Sequence, residues 1–359
     1  KTISILALGD IGLSGNIKKL LHEDKLGINI FGKIRTMLKE SDVTIGNLET
    51  PLIKNSGIND LFCGDVTNAE ILNEAGIDIL SLASNHMYDY GSLGLTSTIE
   101  SVKMSGIDSI GADFDKGQSR SLLVKKIRGT KIGFFASGHT NINQDTLGPY
   151  IWELNSKQLL KAVEKAKKNV DILIISLHWG PMLVDYPYPE QNQLAHDLID
   201  AGSSCVLMHH AHILQPIEIY KGKPICYNLG NFIFDPDEGD YQNKLGNNFK
   251  QLKEFEQRTS CLVLLEWSGN TFKGLKCLPF MLPSKEKKQF QNCLSWADIN
   301  SANRILDRLI KISSEIKQDY SQKYDKQIWE IRLREIKINL YLLFKKGELS
   351  KVVYFYKIF

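Results

Sequence analysis

Short runs of Ile, Leu and Val recur along the first two-thirds of the chain, alternating with stretches whose apolar positions repeat at helical spacing. The runs are ISILAL (3–8), VTIG (43–46), DILSLAS (78–84), KIGFFAS (131–137), DILIISL (171–177) and CVLMH (205–209). Apolar residues at consecutive positions mark strands buried on both faces. Between them the period predicts helices over 30–40, 67–75, 92–105, 156–169 and 190–201. Asn68 stands near the start of the second of these, and Gly76 stands where a left-handed residue ends it. Such alternation implies an α/β protein.

Beyond residue 212 the pattern changes. PIEIYKGKPICYNLGNFIF reads as two strands joined by the turn YKGKP, and RTSCLVLLEWSGNTFKGLKCLPFML as a hairpin turning at Ser268-Gly269-Asn270. Parallel units are therefore expected first and antiparallel strands later. From about residue 284 the chain is Lys-rich, nearly free of Gly and Pro, and helically periodic. The expected division is a core domain over 1–283 and a helical C-terminal extension over 284–359. The extension is expected to pack on the core or to join copies into a homo-oligomer. Its Glu and Asp residues dilute the basic face that a membrane surface would need.

Composition narrows the classes further. The 359 residues are enough for one large or two modest domains, and 43% hydrophobic with 24% charged residues is ordinary for a globular chain. A net charge of +3 does not mark a nucleic-acid binder and suits an anionic small molecule or polymer as substrate, and equally a neutral one. The six cysteines form no CxxC pair, and Cys205 and Cys226 lie in apolar strands, which fits a reducing compartment. No apolar run approaches the roughly 20 residues of a membrane span. The sequence begins directly on a strand, with no signal-like segment ahead of it, so a cytoplasmic setting is expected.

The chemistry-bearing residues fall at strand ends, beyond which open α/β sheets bind their ligands. Successive strands deliver Asp10, then Asn47 and Glu49, then Asn85, His86 and Asp89, then His178, then His209, His210 and His212. Each alone has a structural reading, since a strand-end Asp or Asn commonly makes a turn or cap and a lone His a hydrogen bond. Together they place five of the eight histidines in three such segments. A His-x-His pair on extended backbone points both rings to one side. Mixed nitrogen and oxygen ligation suits Mn, Fe or Zn better than a Ca or Mg cage. The ligands exceed what one catalytic ion uses, and two divalent metal ions would employ them all. Trp179 is expected to wall this site. The loop stiffened by Pro181, Pro187 and Pro189 is its expected rim, presenting Tyr186 and Tyr188. His139 reads as a loop or capping residue, and His22 and His196 as solvated helix positions.

The ordered set GDIG…GNLET…SNHMYDYG…SLHWG…HHAHILQPIE…YNLGNFIFD resembles the bacterial capsule or poly-γ-glutamate synthesis proteins of the CapA group. These are relatives of the calcineurin-like metallophosphoesterases. The resemblance covers residues 3–236. It implies a four-layer α/β/β/α sandwich with a two-metal centre at the strand ends. Asp10 would then ligate the first metal, Glu49 would lie at the bridging region with Asn47 beside it, and Asn85 would ligate the second metal. His178, His210 and His212 would complete the shell. His86 would be the acid/base histidine, oriented by Asp89, with His209, Asn228 and Asn231 lining the substrate side. Departures are also present. The superfamily begins Asp-x-His, where this chain has Gly12. The CapA group commonly places an acid at the position of Met182 and reads GHHPH where this chain has Met208 and Ala211.

The resemblance implies a metal-dependent hydrolase in which activated water attacks a phosphoester or a γ-glutamyl-type amide. The alternatives are a metal-binding assembly subunit of polymer synthesis with little turnover, and a metal-free protein with structural histidines.

Overall fold

The computed structural model describes residues 2–22, 26–57, 60–140, 147–236, 254–283, 293–316 and 320–327. In chain order, β1 (Thr2–Ile11) is followed by α1 (Gly15–His22), α2 (Ile34–Glu40), β2 (Val43–Leu48) and a ribbon of β3 (Leu52–Ile53) with β4 (Gly64–Asp65). Next come α3 (Asn68–Ala75), β5 (Ile79–Ser81), α4 (Gly91–Met104), β6 (Asp108–Ile110) and β7 (Ala112–Asp113). The hairpin β8 (Leu123–Ile127)–β9 (Thr130–Gly138) precedes β10 (Tyr150–Ile151), which pairs back with β7. Then follow α5 (Ser156–Ala166), β11 (Ile172–His178), α6 (Pro189–Ala201) and β12 (Cys205–His209). The hairpin β13 (Ile217–Tyr220)–β14 (Lys223–Cys226) leads to β15 (Asn231–Ile233). Last are the hairpin β16 (Thr259–Ser268)–β17 (Thr271–Met281), β18 (Ser295–Trp296) and α7 (Ile299–Glu315).

Two sheets carry the structure. One has the order β18-β17-β16-β1-β2-β5-β6, with β15 also paired to β1. The other has the order β13-β14-β12-β11-β9-β8. The first is parallel from β1 through β2 and β5 to β6 and antiparallel from β1 through β16 and β17 to β18. The second has a parallel centre and antiparallel edges. Strand alternation then sorts side chains between layers. Ile132, Phe134, Ile172, Ile174, Cys205 and Leu207 join the core cluster of the first sheet. Their neighbours Phe135, Leu173, Ile175, Val206 and Met208 pack outward with Leu159 and Val163 of α5 and Leu194 and Leu198 of α6. Helices α1–α4 add Leu20, Leu38, Leu72 and Ile99 to the first cluster. The result is the expected metallophosphoesterase-like sandwich of two helix layers around two sheets.

Up to residue 283 the predicted strands and helices appear, with three differences. The predicted helix 30–40 divides into a 3-10 turn, Gly27–Phe31, and α2. Between them Gly32 has φ 49°, and a Cβ there would lie 2.4 Å from the Leu294 carbonyl oxygen. Helix α1 was absent from the prediction because its eight residues are too few to display a period. Strand β8, LVKKI, alternates half-buried and exposed positions, so the antiparallel pairs are not confined to the later part of the chain.

Leu309 and Ile312 of α7, with Ile316, Tyr320 and Tyr324 beyond it, pack into the outer cluster of the second sheet. Within the expected helical extension Ser295–Trp296 instead form β18, paired with β17, and residues 284–292, 317–319 and 328–359 lie outside the described residues. Among the described residues no helix is long and apolar enough to cross a membrane.

At the edge where the strands end, backbone packs against backbone. A Cβ on Gly9 would lie 2.1 Å from the Gly230 carbonyl oxygen, and one on Gly138 would lie 1.9 Å from that of Ala83. Neither neighbour is a side chain that can swing away. Gly138→Ala is expected to lower unfolding free energy by about 3 kcal/mol, the upper part of the usual overpacking cost. Urea denaturation of the two proteins measures this.

Candidate metal centre

Two rows of polar residues meet at that edge. In the first sheet Asp10 stands between Asn47 of β2 and Asn231 of β15, its register partners on either side. In the second, His178 pairs across with His209 and Gly138. Alternation explains the facing. In β12, Cys205 and Leu207 point inward, so His209 does too, and in β11 Ile172 and Ile174 put His178 on the same side. Asp10, Asn47, Glu49, His178, His209 and His212 are all 2% exposed or less, so their charges and dipoles are compensated by one another rather than by water.

Asp10 is the hub of the cluster. Its Oδ1 accepts the Asn47 Nδ2 amide at 2.9 Å and lies 3.3 Å from His209 Nδ1. Its Oδ2 accepts the His210 backbone N–H at 3.2 Å and lies 3.6 Å from His212 Nδ1. Glu49 Oε1 is 3.4 Å from His212 Nε2 and 3.9 Å from His178 Nε2. The ring of His178 is clamped further, Nδ1 lying 3.1 Å from the Asn47 amide nitrogen and Nε2 2.7 Å from Asn85 Oδ1. His210 Nδ1 is 3.1 Å from the same Nε2. The protons on these rings follow from their partners, not from observed hydrogens.

Charge follows from this packing. Burial raises the Asp10 pKa, but the hydrogen bond and charge of His209, with His212 and His178, outweigh it and hold the carboxyl below its ordinary range. Burial lowers His178, with the charge of His210 adding to it, and lowers His210 to about 3, with His212 adding to it. His212 goes the other way. Burial opposes its charge, but Glu49 and then Asp10 raise it to about 9. Neutral imidazoles carry the lone pair that metal coordination needs.

Two ligand sets emerge, Glu49 with His178 and His210, and Asp10 with Glu49 and His212. In each set one atom per residue lies within 4.8 Å of the others. Glu49 belongs to both. Neither Glu49 side-chain oxygen has a hydrogen-bond partner, and neither does Asn47 Oδ1. Buried acceptors left this way are costly unless a cation or ordered water takes them. The donor set therefore fits a divalent metal.

Beside this cluster His86 places Nδ1 2.7 Å from Asp89 Oδ2. Burial opposes charge on the ring, and the Asp89 hydrogen bond and the Glu49 charge outweigh it, raising its pKa. Phe62, a residue the sequence pattern did not single out, stacks on the imidazole with centroids 4.9 Å apart and planes 9° from parallel. Ser84 Oγ donates to the Glu49 carbonyl at 3.1 Å. Neither loop carries a period that would have exposed these roles.

Several predicted residues stand elsewhere. Trp179 follows the inward His178, so it turns outward and packs half-buried against the outer cluster instead of walling the site. Tyr186 bonds through its hydroxyl to Glu315 and stacks on Tyr320, and Tyr188 packs against Tyr324. The expected rim thus faces the C-terminal segment. Asn228 accepts the Gly230 N–H at 2.8 Å, a turn-forming role, and Asn231 orients His212 through an Oδ1–Nδ1 contact of 2.9 Å. His209 is fully enclosed against Asp10, so it supports that carboxylate rather than a substrate. His210 and His212 converge by a left-handed turn, φ 96° and 56°, not by strand alternation. His196 is half-buried rather than free in solvent; its Nε2 is 2.9 Å from Glu218 and its ring stacks on Tyr220. His139 is exposed on the loop and donates its backbone N–H to the His178 carbonyl at 3.0 Å.

A family model, bacterial capsule synthesis protein PGA_cap, matches residues 4–236, which include every residue of the cluster. The chain belongs to the PGA_cap family. Its relatives include the capsule biosynthesis protein CapA of Bacillus anthracis, 30% identical over 251 residues, which are 65% of this chain and 60% of that protein. The PGA biosynthesis protein CapA of Bacillus subtilis strain 168 is 30% identical over 244 residues, covering 65% and 63%. The match spans about three-fifths of the length of these curated relatives. A solved phosphatase from Mycoplasma pneumoniae has the same fold, with a TM-score of 0.52 at 16% identity over 90% of this chain and 99% of that one.

The Glu49 acceptors give a direct test. After chelation, a divalent ion at 100 times its dissociation constant is expected to stabilise this PGA_cap chain by about 2.7 kcal/mol. Thermal unfolding with and without Mn²⁺ or Zn²⁺ reads the shift, and Glu49→Gln is expected to abolish most of it.

Proposed function

We propose that this chain is a metal-dependent hydrolase holding two divalent ions, Mn, Fe or Zn, at the strand ends. The single observation that supports it most is the position of Glu49, buried, without hydrogen-bond partners on either oxygen and common to both ligand sets. Asp10 and His212 would serve one ion, and His178, His210 and Asn85 the other. Divalent ions held there supply Lewis acidity and make water a nucleophile at neutral pH.

The chain's own residues then divide the work. Asn47 and His209 hold Asp10 in place, and Asn231 fixes the His212 ring. Asp89 accepts from Nδ1 of His86, which leaves Nε2 as the atom that exchanges a proton with a leaving group. The raised pKa of His86 keeps that proton available near neutral pH. The substrate is an anionic small molecule or polymer carrying a phosphoester or a γ-glutamyl-type amide. The family relation to capsule and PGA synthesis supports the second bond, and the fold supports the first.

A p-nitrophenyl phosphate, a bis-p-nitrophenyl phosphate and a γ-glutamyl anilide, each assayed with metal-loaded protein, separate the two chemistries. With an alkyl leaving group, His86→Ala is expected to reduce kcat by about 10²- to 10⁴-fold, and Asp89→Asn by less. Metal content should remain as in the parent. Full turnover in His86→Ala would remove this residue from the chemistry. No turnover of any substrate by the loaded protein would favour a metal-binding assembly subunit.

A further inference from the structure

The turn that carries two of the proposed ligands is held in a conformation its own residues disfavour. His210, His212 and Leu183 all have positive φ, and the Leu183 N–H donates to the Ala211 carbonyl between the two histidines at 2.9 Å. Non-glycine residues persist there only where surrounding contacts over-determine them.

Those contacts lead to α7 and the segment after it, outside the residues matched by the family. Arg308 Nη2 pairs with Asp185 Oδ1, and both side chains are about four-fifths buried. Arg308 Nη1 also donates to the Leu214 carbonyl, two residues after His212, at 3.0 Å. Gln327 grips Asp185 from the other side, donating to Oδ2 and accepting the backbone N–H, both at 2.8 Å. Gln215 ties the turn to the loop by donating to the carbonyls of Val184 at 2.8 Å and Tyr186 at 3.1 Å. The loop and the ligand turn are thus joined to each other, and one arginine holds both.

We propose that Arg308, acting through Asp185 and Leu214, is a positioning residue for the His210–His212 turn. Segment 299–327 is then a working part of the metal centre and not an appendage to it. A guanidinium suits this task because its fork serves a carboxylate and a carbonyl in fixed directions, which a single ammonium cannot do. The inference rests on His210 and His212 being ligands, so its test includes a measurement that needs no metal.

Full-length Arg308→Gln is compared with Ile312→Ala, a core truncation on the same helix that removes no hydrogen bond to loop or turn. Calorimetric titration with Mn²⁺ is expected to show binding weakened by about 10-fold or more in Arg308→Gln, the usual cost of losing an outer-shell support. In Ile312→Ala the affinity should stay within about twofold of the parent while the unfolding temperature falls. In the metal-free chain, long-range ¹H–¹⁵N spectra should show the His210 and His212 ring signals shifted or broadened in Arg308→Gln, with those of His22 and His196 unmoved. Unchanged affinity together with unmoved ring signals, beside a lowered unfolding temperature, would overturn the proposal and leave Arg308 a purely structural residue. If the parent binds no Mn²⁺, the metal reading fails, and the ring signals alone decide whether Arg308 positions the turn.

Discussion

Two carboxylates taken out of water at one place set the terms for the rest of this molecule. Asp10 and Glu49 are both fully buried. An isolated buried carboxylate is too costly to keep its charge, so either it protonates or cationic and hydrogen-bonding partners are brought to it. Here the partners come from both sheets, three histidines and an amide around Asp10 and two histidines near Glu49. Meeting that demand requires the strand ends of the two sheets to approach within side-chain reach, and Gly138 permits it where a Cβ would strike the Ala83 carbonyl. Asp10 is satisfied by protein groups, whereas Glu49 is left with both oxygens lacking hydrogen-bond partners. That asymmetry supports the proposed cation site at Glu49.

The strands and the residues at their ends were legible because one physical rule covers both. A doubly buried parallel strand must be apolar along its length, so the first polar residue after the run marks the strand's end. Asp10, Glu49, His178 and the 209–212 group follow from that rule, and their assembly into one cluster is what the structure adds. Trp179 could have been excluded on the same ground, since the residue after an inward His178 points outward. The roles of Tyr186 and Tyr188 were not legible, because they depend on where Glu315, Tyr320 and Tyr324 return in space. Phe62 is a similar case. Its stacking on His86 arises from a loop whose residues carry no period. The His-x-His spacing gave the right convergence for the wrong reason, since the backbone between the rings turns left-handed.

Two departures from the motifs of relatives acquire physical causes. A side chain at Gly12 would collide with the Phe234 ring, which lies 2.5 Å from the Cβ position and packs against His212 with centroids 4.7 Å apart. The volume that the third residue of an Asp-x-His motif would occupy is taken by an aromatic wall. In the proposed centre the Asp10 side would then draw its imidazole from His212, on the turn held at positive φ.

Met182 and Ala211 form the second departure, and they are one packing unit. Met182 packs against Leu183, Ala211 and Ile213, the cluster that covers the outer side of the ligand turn. An acid at position 182 would bring a charge into apolar surroundings beside a backbone already held at positive φ. The methionine instead adds apolar cover to a turn that needs support.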